Sequence, residues 1–267
     1  MSGQAIDGGR LGPRERQAAL DRMAAEVFDV VVVGGGITGA GTALDAATRG
    51  LSVALVEAVD FAAGTSSRSS KLIHGGLRYL EQLNFALVRE ALRERGLLLT
   101  RLAPHLVRPV SFLYPLRHRY WERFYVGAGV LLYDTMGGAR ALPRHRHLSR
   151  RAARRLAPAL RPDALVGAVR YYDGQVDDAR HTLVTARTAA RYGAVLATSA
   201  RATGFLRDGQ RVTGVRVRDL ESGRDLEVRG RQVVTAAGVW TDEVTAQVGG
   251  AQFRVRMSKG IHFTVPA

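Results

Sequence analysis

Along this chain the apolar positions switch between two periods, and the switches mark its elements. Residues 30–33, VVVV, are a β-branched run too short to tell strand from buried helix by periodicity alone. Residues 34–57 decide it. A glycine cluster comes first, then an Ala-rich helical pattern over residues 37–49 that Gly50 ends, then a second strand at residues 51–56 closed by Glu57. Upstream, residues 1–12 are Gly-rich and expected to be disordered. Residues 13–26 read as a short lead-in helix with Pro13 in its first turn, docked on the domain without a functional role. Downstream, residues 72–80 read as a helix interrupted by Gly75 and Gly76. Residues 85–102 form an amphipathic helix with Leu87, Val88, Leu92, Leu98 and Leu99 apolar, ended by Pro104.

Residues 106–165 carry the weakest periodicity. SFLYPL predicts a strand, YVGAGVLLYD a short helix, Met136-Gly137-Gly138 a turn, and the Arg/Ala-rich stretch 140–162 a helix and loop. The signal then returns. Residues 176–192 predict a helix begun by Asp177 and Asp178, whose charge suits the N-terminal end of a helix dipole. Residues 194–197 predict a buried strand. A meander comes next over 200–206, 211–219 and 225–229, with turns at Asp208-Gly209 and Ser222-Gly223. Residues 232–235 predict another buried strand ending in Ala236-Ala237-Gly238, and 257–265 a further strand.

The first strand–turn–helix carries chemistry. Gly34, Gly36 and Gly39 have the G-x-G-x-x-G spacing directly after a strand, and Glu57 closes the next strand about 20 residues on. Gly34 permits the tight turn, Gly36 lets backbone approach a pyrophosphate, and Gly39 lets helix and strand pack closely. A pyrophosphate would sit on the N–H groups at the helix N-terminus. Glu57 would accept from the adenosine ribose hydroxyls and would repel a 2′-phosphate, which disfavours NADP. The spacing alone does not separate FAD from NAD. Gly75-Gly76, costly within a helix, and the small residues ending at Gly238 are places where backbone can lie against a flat ligand; a kink or tight packing explains them equally well.

Composition narrows the chemistry. The 267 residues are 46% hydrophobic, enough for a sizeable core, and contain no cysteine, which excludes disulfides, a thiolate nucleophile and Cys-ligated metal. The histidines show no metal-ligand spacing; His145 and His147 read as part of a solvated loop. No metal is expected. No signal peptide or membrane-spanning run is evident. Net charge is +15, and only Lys71 and Lys259 are lysines. So complete a bias to arginine fits base composition, or attraction to anionic lipid or an anionic substrate. No nucleic-acid motif accompanies it.

The segment GTSSRSSKLIHGGLRYLEQLNFALVREALRER, residues 64–95, resembles the one that comes after the dinucleotide fold in FAD-dependent glycerol-3-phosphate dehydrogenases of the aerobic type. VDDAR after Tyr171-Tyr172-Asp173-Gly174 and KGIHFTVP at 259–266 are similar to further segments of that family. The resemblance runs from about residue 28 to the end. It implies an α/β fold: a Rossmann-like FAD-binding domain of the amino-acid-oxidase-like flavoprotein type, with the start of a second, mixed-sheet substrate domain, truncated. The expected division is a lead-in at 1–26, FAD-binding parts at 27–105 and 171–250, an insertion at 106–170, partly substrate-domain or membrane-facing, and the start of a substrate domain at 251–267.

The implied activity is FAD-dependent oxidation of sn-glycerol 3-phosphate to dihydroxyacetone phosphate by hydride transfer to flavin N5, with electrons passed to quinone. By the same resemblance Arg78 and Tyr79 hold the substrate phosphate and His262 takes the C2 hydroxyl proton. Thr65, Ser66, Ser67, Lys71 and His74 line flavin and pyrophosphate, Ala202 supplies backbone to the adenine edge, and Gly238 approaches the cofactor. The family's later glycine-rich segment and later arginines have no counterpart here, so the chain is expected to be an N-terminal portion, with activity alone and activity only together with the missing part both left open. The expected location is cytoplasmic, with peripheral contact on the inner face of the cell membrane as an option. Rival readings are another FAD-dependent oxidase of the same fold, acting on amino or hydroxy acids, an NAD-linked dehydrogenase, and a non-catalytic basic fragment that binds FAD or membrane.

Overall fold

A computed structural model describes residues 9–75, 82, 84–118, 120–136, 142–161, 163, 165–247, 255, 256, 258, 260 and 261. In chain order the first elements are α1 (Pro13–Ala25), β1 (Val27–Val33), α2 (Ile37–Thr48) and β2 (Val53–Val56). The middle run is β3 (Leu72–Ile73), α3 (Phe85–Leu97), β4 (Arg108–Leu116), α4 (Trp121–Met136), β5 (Arg146–Ser149), α5 (Arg150–Leu156) and β6 (Gly167–Gln175). The last is α6 (Asp178–Arg191), β7 (Val195–Ala197), β8 (Ala200–Asp208), β9 (Arg211–Asp219), β10 (Asp225–Thr235) and α7 (Thr241–Ala246). These form two compact units: one from the two ends of the chain, up to Ser69 and from Asp178 onward, the other from Ser70–Asp177.

The first unit is built on a six-stranded sheet ordered β7-β2-β1-β10-β9-β8. Its β7, β2, β1 and β10 run parallel, and β10, β9 and β8 continue as an antiparallel meander. Strand alternation sends Val31 and Val33 to one face and Val32 to the other. The first face packs with Ala54, Val56, Phe205, Val215 and Val228 under Leu20 and Met23 of α1. On the second, Val32, Leu55 and Leu196 meet Ala40, Ala43 and Ala47 of α2 and Ala186 and Ala189 of α6. Burial on both faces is why these strands read as unbroken apolar runs instead of alternating ones. The alanines let α2 and α6 lie close to the sheet.

The second unit holds an antiparallel sheet ordered β3-β6-β4, with β5 also paired to β6. Its interior contains a charged group. Arg95 of α3 and Asp173 of β6 are both buried and bonded at 2.7 Å, and the Tyr133 hydroxyl of α4 joins them.

Several elements depart from their sequence patterns for identifiable reasons. Residues 72 and 73, expected in a helix, are a strand, because Leu72 and Ile73 pair with Gln175 and Gly174; the rest of that expected helix beyond Gly75 lies outside the described residues, as does the turn after Met136. The helix from Phe85 is α-helical to Leu97 and widens into a π-helical turn at Leu98–Leu102 before Pro104. Leu87 faces solvent, while Val88, Leu92 and Arg95 are buried at one face. The short helix expected near 125–134 is the longer α4. Residues 225–235 are one strand, not two, since Gly230 leaves room for Val31, whose Cγ2 would lie 2.5 Å from an added Cβ. Its second half is only part-buried. The strand expected at 257–265 falls mostly outside the described residues; residues 258, 260 and 261 are irregular.

Candidate functional site

At the carboxyl end of β1 the chain turns on Gly34, with φ at +114°, a region that favours glycine. An added Cβ there would meet the Ala236 carbonyl oxygen at 2.4 Å, so β10 and the turn lie back to back. At Gly39 an added Cβ would fall 1.9 Å from the Gly34 carbonyl oxygen, which seats α2 directly against the turn. The N–H of Ile37, first residue of α2, donates to Ser66 Oγ at 3.0 Å. An added Cβ on Gly36 would stand 3.2 Å from the same hydroxyl. The loop that carries Thr65 and Ser66 is thus brought to the N-terminus of α2, where the helix dipole favours an anion.

Glu57 closes the other side. Its Oε2 accepts from the Gly35 N–H at 2.6 Å and its Oε1 from the Val59 N–H at 2.8 Å. A carboxylate has about four acceptor positions, so two remain for hydroxyl donors. The backbone over Glu57 then folds back. Ala62 sits at φ 62°, strained for a non-glycine residue, and its N–H donates to the Gly35 carbonyl at 3.1 Å. Next to it, Gly64 leaves room for the Trp240 ring, 2.9 Å from an added Cβ.

One cleft of about 640 Å³ gathers these parts. Gly34, Gly36, Glu57, Thr65, Ser66, Ala202 and Gly238 all line it, as do Ala236, Ala237 and Trp240. Gly39 sits behind it. Ser67 flanks it, its hydroxyl donating to the Gly64 carbonyl at 3.3 Å. Lys71 and His74 belong to the second unit. Lys71 has φ 60°, a left-handed conformation in a non-glycine residue. Arg78, Tyr79 and His262 lie outside the described residues. The cleft suits a dinucleotide: glycines where its backbone must come close, a helix N-terminus and hydroxyls for phosphate oxygens, and a carboxylate for ribose hydroxyls.

Sequence reasoning missed the buried cluster of the second unit. Arg95 Nη1 donates to Asp173 Oδ1 and to the Tyr133 hydroxyl at 3.1 Å, and the Gly75 N–H donates to that hydroxyl at 2.8 Å. Burial, then the Asp173 charge, pushes the Tyr133 phenol far above its ordinary range, so it stays protonated and donates to Asp173 Oδ2 at 3.0 Å. A signal was present: Arg95 continues the Val88, Leu92 stripe at helical spacing, an arginine where the pattern asks for an apolar residue. Among the described residues no group of His, Asp and Glu is arranged to hold a metal ion.

Comparison with known proteins points the same way. Residues 29–267 match the family described as FAD dependent oxidoreductase. The chain is 61% identical over 257 residues to the glycerol-3-phosphate dehydrogenase of Mycobacterium leprae, covering 96% of this chain and 44% of that protein. It is 44% identical over 253 residues to the human mitochondrial glycerol-3-phosphate dehydrogenase, covering 90% of this chain and 34% of the relative. It therefore spans less than half the length of these relatives. Among solved structures, the Bacillus halodurans glycerol-3-phosphate dehydrogenase complexed with FAD aligns with a TM-score of 0.66 at 31% identity, over 88% of this chain and 39% of that one. A glycine oxidase from Bacillus cereus aligns at 0.53 and 22% identity, over 82% and 57%, a likeness of fold alone. Both the family resemblance and the amino-acid-oxidase-like α/β fold expected from the sequence are borne out.

Proposed function

We infer the function from one premise: this chain belongs to the FAD dependent oxidoreductase family. We propose that its first unit binds FAD in the glycine-turn cleft and serves a protein that oxidises sn-glycerol 3-phosphate to dihydroxyacetone phosphate, with quinone as the electron acceptor. The observation that carries the cofactor half is the meeting of Gly34, Gly36, Glu57, Thr65, Ser66, Ala202 and Gly238 on one cleft. High identity to proteins named for this substrate supports the other half.

When bound, FAD supplies the two-electron acceptor at its flavin N5. The chain's own residues then have separable tasks. The N-terminus of α2, with the Thr65 and Ser66 hydroxyls, holds pyrophosphate oxygens. Glu57 keeps the turn closed through Gly35 and Val59 and accepts from ribose hydroxyls. Backbone at Ala202 meets the adenine edge, and Gly238 allows close approach. Ser67, Lys71 and His74 serve the flavin side. Arg78 forks onto the substrate phosphate, for which a guanidinium is better shaped than an ammonium. Tyr79 adds a hydroxyl contact. His262 takes the proton of the C2 hydroxyl, a task suited to an imidazole at neutral pH.

A cytoplasmic location with peripheral contact on anionic membrane is part of the proposal, and one feature favours the membrane contact. At and just before α4, Tyr120, Trp121, Phe124 and Tyr125 are each more than 60% exposed on a strongly basic chain. No described helix is long and apolar enough to cross a membrane. Vesicles rich in anionic lipid should pellet the protein at low salt and release it at high salt; neutral vesicles pelleting it equally would refute the charge component.

The test of function is a visible absorption spectrum taken before and after anaerobic addition of glycerol 3-phosphate. Flavin bands that this substrate bleaches, and amino acids do not, support both halves. Bands bleached by an amino acid instead would point to the oxidase rival. A chain that takes up no flavin from excess FAD would sink the cofactor reading. Quinone reduction measured against oxygen consumption decides the acceptor.

A further inference from the structure

The N-terminal helix α1 does more than cover the sheet. Its Arg16 reaches the loop between β7 and β8, where Nε donates to the Thr198 carbonyl at 2.9 Å and Nη2 to the Ser199 carbonyl at 3.3 Å. The same Nη2 bonds the carboxylate of Asp219, and Nε pairs with Glu221 at 3.1 Å. The Arg16 and Asp219 side chains are only 11% and 3% exposed. The turn that presents these two carbonyls is strained, with Ser199 at φ 49°, a left-handed conformation in a non-glycine residue.

The other edge of this loop is bonded to the cleft. The Ser199 N–H donates to the Val59 carbonyl at 3.1 Å and the Ala200 N–H to the Glu57 carbonyl at 2.8 Å. Ala200, Arg201 and Ala202 come directly after and line the cleft with Glu57 and Val59. A short path of hydrogen bonds thus joins Arg16, through two carbonyls in a strained turn, to the wall beside Glu57. Asp219 secures the far side, accepting from Arg16, from Ser222 and from the Glu221 N–H, while the Leu220 N–H donates to the Ser199 carbonyl at 2.7 Å.

We infer that Arg16 and Asp219 are positioning residues for the adenosine side of the cofactor cleft: they hold the Thr198–Ser199 turn so that residues 200–202 and 57–59 present a preformed wall to an adenine nucleotide. The inference rests on the FAD-binding reading and adds to it a control of affinity from an element outside the dinucleotide fold. Adenosine diphosphate is the probe, because it carries the adenine, ribose and pyrophosphate without the flavin.

The experiment compares ADP and FAD dissociation constants with melting temperatures for four variants: Arg16→Ala, Arg16→Lys, Asp219→Asn and, as control, Met23→Ala, which empties a fully buried site on the same helix. Arg16→Ala should weaken ADP about tenfold or more, the scale of losing a charged hydrogen-bond partner. Arg16→Lys should recover only part of that, since an ammonium lacks the planar fork. Met23→Ala should lower the melting temperature at least as much and leave ADP affinity within about twofold. ADP affinity that tracks melting temperature across all four, or that Arg16→Ala leaves unchanged, would overturn the inference. Should Arg16→Ala not fold, Arg16→Lys and Asp219→Asn against Met23→Ala decide it by the same criterion. Wild-type chain that binds neither ADP nor FAD would overturn the cofactor reading itself, a failure distinct from equal binding by wild type and Arg16→Ala.

Discussion

The Gly35 backbone N–H donates to Glu57 Oε2 at 2.6 Å, so the acid that closes β2 is tied to the middle of the glycine turn. With Val59 on its other oxygen, the carboxylate braces the mouth of the cleft whether or not a ribose is present. Glu57→Gln keeps the shape but turns an NH₂ toward one of two N–H donors. Loss of about 2 kcal/mol in urea unfolding is expected, together with weaker FAD retention. Unchanged stability with lost FAD would mean the carboxylate acts on the ribose alone.

The glycines of α2 differ in what they face. Gly39→Ala places a methyl 1.9 Å from the Gly34 carbonyl oxygen and should abolish flavin uptake or folding. Gly41→Ala, two residues on, meets nothing within 4 Å and should stabilise by about 0.5–1 kcal/mol through helix propensity. Melting curves of the two variants check this; similar effects would show that the spacing reflects propensity and not contact.

The buried cluster of the second unit should be sensitive to removal of charge. Asp173→Asn leaves the Arg95 guanidinium without its carboxylate in an apolar interior and should cost about 3–5 kcal/mol. Tyr133→Phe should cost less, about 1–3 kcal/mol, because the Gly75 N–H and Arg95 still reach Asp173. Spectrophotometric titration offers a second check. Tyr133 should contribute no phenolate absorbance below about pH 11, since burial and Asp173 hold it protonated. A lost phenolate signal in Tyr133→Phe below that pH would refute the arrangement.

Acid stability should carry the signature of Asp219. Burial raises its pKa, but hydrogen bonds from Ser222, Arg16 and the Glu221 N–H outweigh that and bring it to about 2, against an ordinary value of 3.8. A depressed folded pKa gives stability that is complete above the unfolded value and is lost as pH falls toward the folded one, here between about pH 4 and pH 2. Asp219→Asn should be less stable near neutrality and should lose less on going from pH 5 to pH 3. Equal losses, read from urea midpoints, would mean Asp219 is not a major acid-sensitive group.

Substrate chemistry is checked in a preparation that turns over glycerol 3-phosphate. His262→Ala should lower turnover by about 10²–10⁴, the scale of a general base. Arg78→Ala should raise the Michaelis constant more than it lowers turnover. Normal turnover in the first variant, or a normal constant in the second, would reassign that residue.

What the amino-acid order determined by itself is the local part. β-branched runs, the G-x-G-x-x-G turn, the Ala-rich helix, the acid after β2 and the Gly-marked turns of the meander were all legible, because backbone sterics and one-face burial act over a few residues. They were enough to point at a dinucleotide cleft. Tertiary structure decided which faces meet. Periodicity says that Val31 and Val32 are buried on opposite sides, but not that β1 pairs with β10, two hundred residues on. It made residues 72 and 73 a strand by offering them β6, and it placed Arg95 against Asp173 and Tyr133. It also gave Glu57 two backbone donors and set Arg16 on the turn beside the cleft. Each of these depends on groups distant in the chain, and a pattern of local preference carries no record of its partner.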